Sequence, residues 1–233
     1  MTGTGHATFR FRSIHIKTQS GDLSVKSILP ICLLTVSCST IFAEKNTEIS
    51  PVLGKPGAIV LEDSFDRTEP GKEWKGVKGE WKIVDGVIVG KELEADKHAA
   101  VMNFHTRNRN SIVRLSFKFE GSTPGFNFSL NHAKGHLFRV VVTEAALIVR
   151  TDADKKDKSI KSELIGQAKG KFEKGQWYTL QVEMVGDKVV AMTDNGLKVS
   201  GQHARLDTDK PNYRFVMKGE SLAIDDVKVW SAE

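Results

Sequence analysis

Cysteine is almost absent from this chain. It has two, Cys32 and Cys38, and both fall in the first 43 residues. Residues 44–233 therefore cannot form a disulfide or a thiolate metal centre. A domain without disulfides must rely on its apolar core, and 190 residues are enough to build one. Long apolar runs are missing too. The run Ile28–Val36 is too short to cross a hydrocarbon layer of about 30 Å as a helix. No window keeps a 3.6-residue apolar period over helical length. Charge of one sign is also scarce. The chain has 34 Lys and Arg against 29 Asp and Glu, net +5. Residues 1–43 hold four basic residues and one acidic, which leaves 30 against 28, net +2. So balanced a surface carries no electrostatic footprint for nucleic acid.

The first 43 residues read as an export signal. Arg10, Arg12, Lys17 and Lys26 precede the apolar run, and Ile41-Phe42-Ala43 ends in a small residue suited to cleavage after Ala43. This predicts a secreted or periplasmic protein with no transmembrane span. An alternative is lipid anchoring through Cys38, since Leu34-Thr35-Val36-Ser37-Cys38 loosely follows a lipobox, with Thr35 where leucine is expected. Residues 44–57, with Pro51, Gly54, Pro56 and Gly57, read as a flexible lead-in to a domain spanning 58–233.

From Ala58 onward the pattern is strand after strand. Trp81–Val84 and Val87–Val89 flank Asp85-Gly86, a strong hairpin signal because glycine accepts the positive φ of a type I′ turn. In Ser111–Glu120, Val113, Leu115, Phe117 and Phe119 alternate with Arg114, Ser116, Lys118 and Glu120. In Gly125–Asn131, Phe126, Phe128 and Leu130 alternate with Asn127, Ser129 and Asn131. Further strands are predicted at 137–142, 145–151, 177–185, 188–193, 197–202, 213–218 and 221–230, with the polar, lysine-rich stretch 152–175 as a long loop. About twelve short strands predict an all-β, two-sheet antiparallel jelly-roll sandwich.

Three stretches carry a family resemblance. They are Leu61–Asp66 with Trp74 and Gly79–Gly90, then Gly175–Glu183 with its partner Lys188–Met192, and the closing Leu222–Trp230. Together they resemble concanavalin A-like, laminin-G-like domains of secreted bacterial proteins. Among these, the chain is similar to the 3-keto-disaccharide hydrolase (glycoside-hydrolase-16-like) domain. The resemblance implies the sandwich fold and a carbohydrate partner. The hydrolase family commonly carries a Glu-x-Gln strand and a following Asp, where this chain reads Leu137-Phe138-Arg139-Val140-Val141-Val142.

Glycoside hydrolysis needs two carboxylates about the scissile bond. The nearest approach to the Glu-x-Asp-x-x-Glu of the retaining glucanases that share the resembled fold is Glu94-Ala95-Asp96, which lacks the last acid; Asp96 and Glu183 are the remaining candidate acids. The polar row Asn127, Ser129 and Asn131, with Arg114 and Lys118 on the strand before and Arg139 on the strand after, has the hydrogen-bonding groups for sugar hydroxyls or a carboxylate, or forms a merely solvated face. Asp63, Asp66 and Asp226, with Asp225, come from the first and last strands and offer oxygen ligands for a structural calcium ion, or cap turns. His132 and His136 end a probable hairpin as possible metal ligands. Trp74, Trp81, Trp177 and Trp230 are assigned to core or edge packing rather than sugar stacking. The sequon Asn127-Phe128-Ser129 falls within a strand. Three readings follow: a lectin-like carbohydrate-binding module without recognisable catalytic acids, a glycoside or 3-keto-disaccharide hydrolase, or a structural interaction domain of the cell envelope.

Overall fold

The computed structural model describes residues 49–233. In chain order the strands open with β1 (Pro56–Asp63), β2 (Trp74–Lys78), β3 (Glu80–Val84), β4 (Val87–Lys91) and β5 (Ala100–Asn108). The centre supplies β6 (Ser111–Glu120), β7 (Gly125–His132), β8 (Gly135–Thr143), β9 (Ala146–Thr151) and β10 (Leu164–Lys169). The last third adds β11 (Tyr178–Val185), β12 (Lys188–Thr193), β13 (Lys198–Gln202), β14 (Lys210–Met217) and β15 (Ser221–Ala232).

These strands form two antiparallel sheets. The first runs β13-β12-β11-β6-β15-β4-β3, with β1 also paired to β15, and the second runs β10-β9-β8-β7-β14-β5-β2. β4 pairs with Leu222–Ile224 at the start of β15 and β1 with its second half. Alternation explains why the sheets face each other. Val113, Leu115, Phe117 and Phe119 of β6 and Phe126, Phe128 and Leu130 of β7 all enter one core. Phe117 and Phe126 meet across it with ring centroids 4.9 Å apart. The sandwich fold and its two antiparallel sheets are those the alternation predicted.

The Asp85-Gly86 hairpin forms as expected, with Val84 opposite Val87 and both turn residues at positive φ, 50° and 76°. Three strands escaped the sequence pattern. β10 lies inside the stretch 152–175 that reads as loop. Its side chains are at best half-buried, so no apolar alternation marks it, and its pairing with β9 holds it. β5 was hidden because Asn103 and His105 interrupt its apolar residues, and β2 because only Trp74 of its five residues is buried.

The lead-in also differs from expectation over its described part. Lys55 and Glu233 exchange backbone hydrogen bonds of 3.0 and 3.1 Å, tying the start of the domain to its end. Residues 49–53 lie against the outer face of the first sheet through contacts with Arg114 and Glu183. The expected signal, Cys38 and residues 44–48 lie outside the described residues.

Candidate functional site

The six residues assigned to one polar face divide between two. β6 belongs to the first sheet, whereas β7 and β8 belong to the second. The chain changes sheets between Glu120 and Gly125, using positive φ at Gly121 and Gly125 (59° and 137°). Outward residues of β6 therefore face one side of the sandwich and outward residues of β7 the other. Arg114 and Lys118 are separated from Asn127, Ser129, Asn131 and Arg139 by the full thickness of the core. Period-two alternation distinguishes inward from outward but cannot say to which sheet a strand belongs.

On the first sheet the chain largely satisfies its own polar groups. Arg114 donates to Gln181 Oε1 at 3.0 and 2.8 Å and to the Ile49 carbonyl at 2.6 Å. Glu183, fully buried, accepts from the backbone N–H groups of Val52 and Leu53 and from Gln181 Nε2. Its carboxylate anchors the lead-in and is not offered to a substrate. Lys118 pairs with Glu120 at 3.0 Å and lies over Trp177. Trp230 has Arg114 and Lys228 over its ring. Trp74 is a core residue, and Trp81 is half-buried with Nε1 donating to the Lys78 carbonyl.

The aspartates expected to hold calcium are placed as follows. Asp63 receives a bidentate contact from Arg67 at 2.6 and 2.7 Å, Trp74 Nε1 at 2.6 Å and the Phe65 N–H at 2.9 Å. Burial pushes its pKa up, but these hydrogen bonds and the Arg67 charge outweigh that and hold it below the usual carboxylate value. A carboxylate closed by four donors, beside a guanidinium, has no lone pairs left for a cation. Asp66 accepts from Ser64 Oγ, and Asp226 lies 3.5 Å from Ser116 Oγ. Among the described residues, no three of His, Cys, Asp and Glu come together as metal ligands. The same holds at the His132–His136 hairpin, where His136 Nδ1 lies 3.0 Å from Asn131 Oδ1 and 3.1 Å from Arg214 Nη1.

On the second sheet four of the six predicted residues do converge. Ser129 of β7 pairs with Arg139 of β8 on one side and Arg214 of β14 on the other. Asn127 pairs with Val141 and Val216, and Asn131 with His136. Arg139 forms an ion pair with buried Asp152 at 2.5 Å. Burial and then the Arg214 charge lower the His136 pKa, so the imidazole is neutral at pH 7. Burial, followed by the Arg139 charge, lowers that of Arg214. Arg214 was not foreseen. Its signal was its place between inward Tyr213 and Phe215, but only the pairing of β14 with β7 brings it to Ser129.

Beside this row is an open cleft of about 510 Å³, lined by Asn127, Arg139, Val141, Thr143 and Val216 with Lys97, His98 and Lys218 at its rim. No Asp or Glu lines it. Asp96 serves the rim from behind. It accepts from the Gly79 N–H at 2.6 Å and from Lys78 at 3.3 Å, and the Gly79 contact chiefly lowers its pKa. That anchors the short helical turn Glu94–Asp96, which ends in Lys97 at φ 46°. The face can offer hydrogen-bond donors, amide groups and cations to a ligand, and it has no facing pair of carboxylates.

Solved structures share this architecture. A carbohydrate-binding module, CBM66, from Bacillus subtilis superposes with a TM-score of 0.54 at 14% identity, over 70% of this chain and 98% of that one. A non-specific endo-β-1,3(4)-glucanase of family GH16 gives 0.55 at 11% identity, over 77% and 95%. A Bacillus subtilis protein of unknown function with a galectin-like fold gives 0.57 at 13% identity, over 77% and 99%. All are concanavalin A-like jelly-roll sandwiches, and that is the fold of this chain. No protein-family model and no curated protein matches the sequence.

Proposed function

We propose that this chain is an exported carbohydrate-binding module whose glycan lies on the outer face of the second sheet. One observation carries the reading: Asn127, Ser129, Asn131 and Arg139 converge on an open face beside a cleft with no carboxylate in its lining. Amide and guanidinium groups suit the hydroxyls and ring substituents of sugars, because both make directional hydrogen bonds. Hydrolysis instead requires two carboxylates roughly 5–10 Å apart about the bond. The two acids weighed for that role, Asp96 and Glu183, each hold backbone N–H groups. The shared sandwich supports the reading, since carbohydrate binding is the named role of one neighbour and glucan cleavage that of another. Export would follow from cleavage after Ala43, which removes Cys32 and Cys38 together.

A glycan array on the purified protein, with calcium and with chelator, tests this. Saturable binding is expected. Asn127→Ala and Asn131→Ala should each weaken it about fivefold to tenfold, the loss of roughly one hydrogen bond. Chelator should change nothing, because Asp63 is closed by Arg67. Cleavage of a glycoside with no detectable binding would replace this reading with a hydrolase.

A further inference from the structure

Ser129 sits at the middle of the second sheet's outer face with an arginine on either side, Arg139 on β8 and Arg214 on β14. Strands in a sheet lie about 4.8 Å apart, so the two arginine Cα atoms stand roughly 10 Å apart, with Ser129 buried between them. The row extends to Arg150 beyond Arg139 and to Asn103 beyond Arg214. Lys97 and Lys218 add positive charge at the cleft. Against them, Asp152 pairs with Arg139, and its charge also reaches Arg214. Arg214 is half-buried, and its hydrogen-bond partner is the neutral imidazole of His136 rather than a carboxylate. Arg139 Nε is buried without a hydrogen-bond partner.

No Trp, Tyr or Phe ring is exposed on this face among the described residues; Phe126, which lines the cleft, is buried. Phe104, Phe126, Phe128, Phe138, Tyr213 and Phe215 of the second sheet all point into the core. Neutral sugars are usually held by stacking their C–H faces on such rings. Guanidiniums without a ring beside them match planar or tetrahedral oxyanions, through paired N–H donors and charge. We infer that this face selects glycans bearing an anionic substituent, a carboxylate or a sulfate ester, received between Arg139 and Arg214 while Asn127 and Asn131 take neighbouring hydroxyls. The inference rests on the carbohydrate-binding reading of the same face. Single-stranded nucleic acid is the other polyanion to weigh, but it is gripped chiefly by base stacking on exposed aromatic side chains, and no Trp, Tyr or Phe is exposed on this face.

Calorimetric titration of the purified protein with matched probes tests it. The probes are oligogalacturonate and its methyl ester, a sulfated carrageenan oligosaccharide and its desulfated form, and a thymidine oligonucleotide. At least one anionic sugar should bind about tenfold more tightly than its neutral counterpart, and the pair that shows it identifies carboxylate or sulfate. Arg214→Gln should erase the preference. Lys97→Gln and Lys218→Gln, both at exposed positions, should each reduce it about twofold to threefold and keep the test intact if Arg214→Gln does not fold. Lys188→Gln on the first sheet should leave it unchanged. Equal binding of charged and neutral partners, with Asn127→Ala still weakening both, would overturn the inference and leave the carbohydrate reading standing. Binding of no probe would overturn the inference, and the glycan array decides whether the carbohydrate reading falls with it. An oligonucleotide bound as tightly as the best sugar, with the same dependence on Arg214, would assign the face to nucleic acid and overturn the inference.

Discussion

Buried or half-buried acids in this domain hold the backbone in place. Asp63 gathers Arg67, Trp74 and the Phe65 N–H at one corner, where Phe65 sits at φ 54°. Asp63→Asn should cost about 2 kcal/mol, since one charged partner supports several donors. Its folded pKa lies below the unfolded one, so its contribution is present above about pH 4 and is lost as pH falls through the folded value. Acid unfolding of Asp63→Asn should therefore show a flatter limb than the parent, read by fluorescence. Lys210 acts in the same direction, in an alkaline window. Its ammonium is buried, donating to the Arg109 and Thr208 carbonyls, and burial followed by the Arg109 charge pushes its pKa down to about 8. Between about pH 8 and the ordinary lysine value the unfolded chain binds more protons, so this group makes stability rise with pH there. Urea midpoints measured across that window should rise less in Lys210→Met than in the parent.

At the scale of the element, β15 is the organising strand because it pairs with β6 along one edge and with β4 and β1 in turn along the other. A bulge between Asp225 and Lys228 sits where β4 gives way to β1. Asp226 occupies it at φ 47°, which aspartate tolerates and β-branched residues do not. Asp226→Gly is expected to be neutral or slightly stabilising. Asp226→Val should cost about 1–2 kcal/mol in denaturant unfolding. The lead-in is a second element-scale device, since Glu183 turns residues 49–53 into a cover for the first sheet. Glu183→Gln leaves one oxygen to serve two N–H groups and should speed amide exchange at Val52 and Leu53, measured by mass spectrometry, at a cost of about 1–2 kcal/mol.

For the molecule as a whole, stability comes from one core shared by two sheets. Phe117 from the first sheet and Phe128 from the second are both fully buried. Truncating either to alanine should cost about 3–5 kcal/mol in equilibrium unfolding. If only one were costly, the two sheets would not share their core. The two outer faces have unequal chemistry. The first is met over part of its area by the chain's own residues 49–53, carries Trp177 and Trp230, each beneath a cation, and has a cleft of about 380 Å³ lined with the carboxylates Glu62, Asp63 and Asp226; the second has a cleft without carboxylates and is rich in arginine. The proposal of a binding role for the second sheet rests on that difference.

By itself the sequence determined what depends on neighbours along the chain. Period two in Val113–Phe119 and Phe126–Leu130 fixed which side chains face inward, and Asp85-Gly86 fixed a hairpin through the φ values its residues tolerate. The absence of helical period fixed an all-β fold. Tertiary structure decided what depends on pairing between distant segments. Membership of β6 in one sheet and β7 in the other divided a polar row that looks continuous in sequence. Arg214 came to Ser129 only because β14 lies beside β7, 85 positions away along the chain. The fate of each carboxylate was settled in the same way. Asp63 and Glu183 look like any other acids in the sequence, and only the N–H groups folded against them make one a corner and the other an anchor. Alternation is written locally, while sheet order is chosen by which pairing buries the most apolar surface, a property of the whole core.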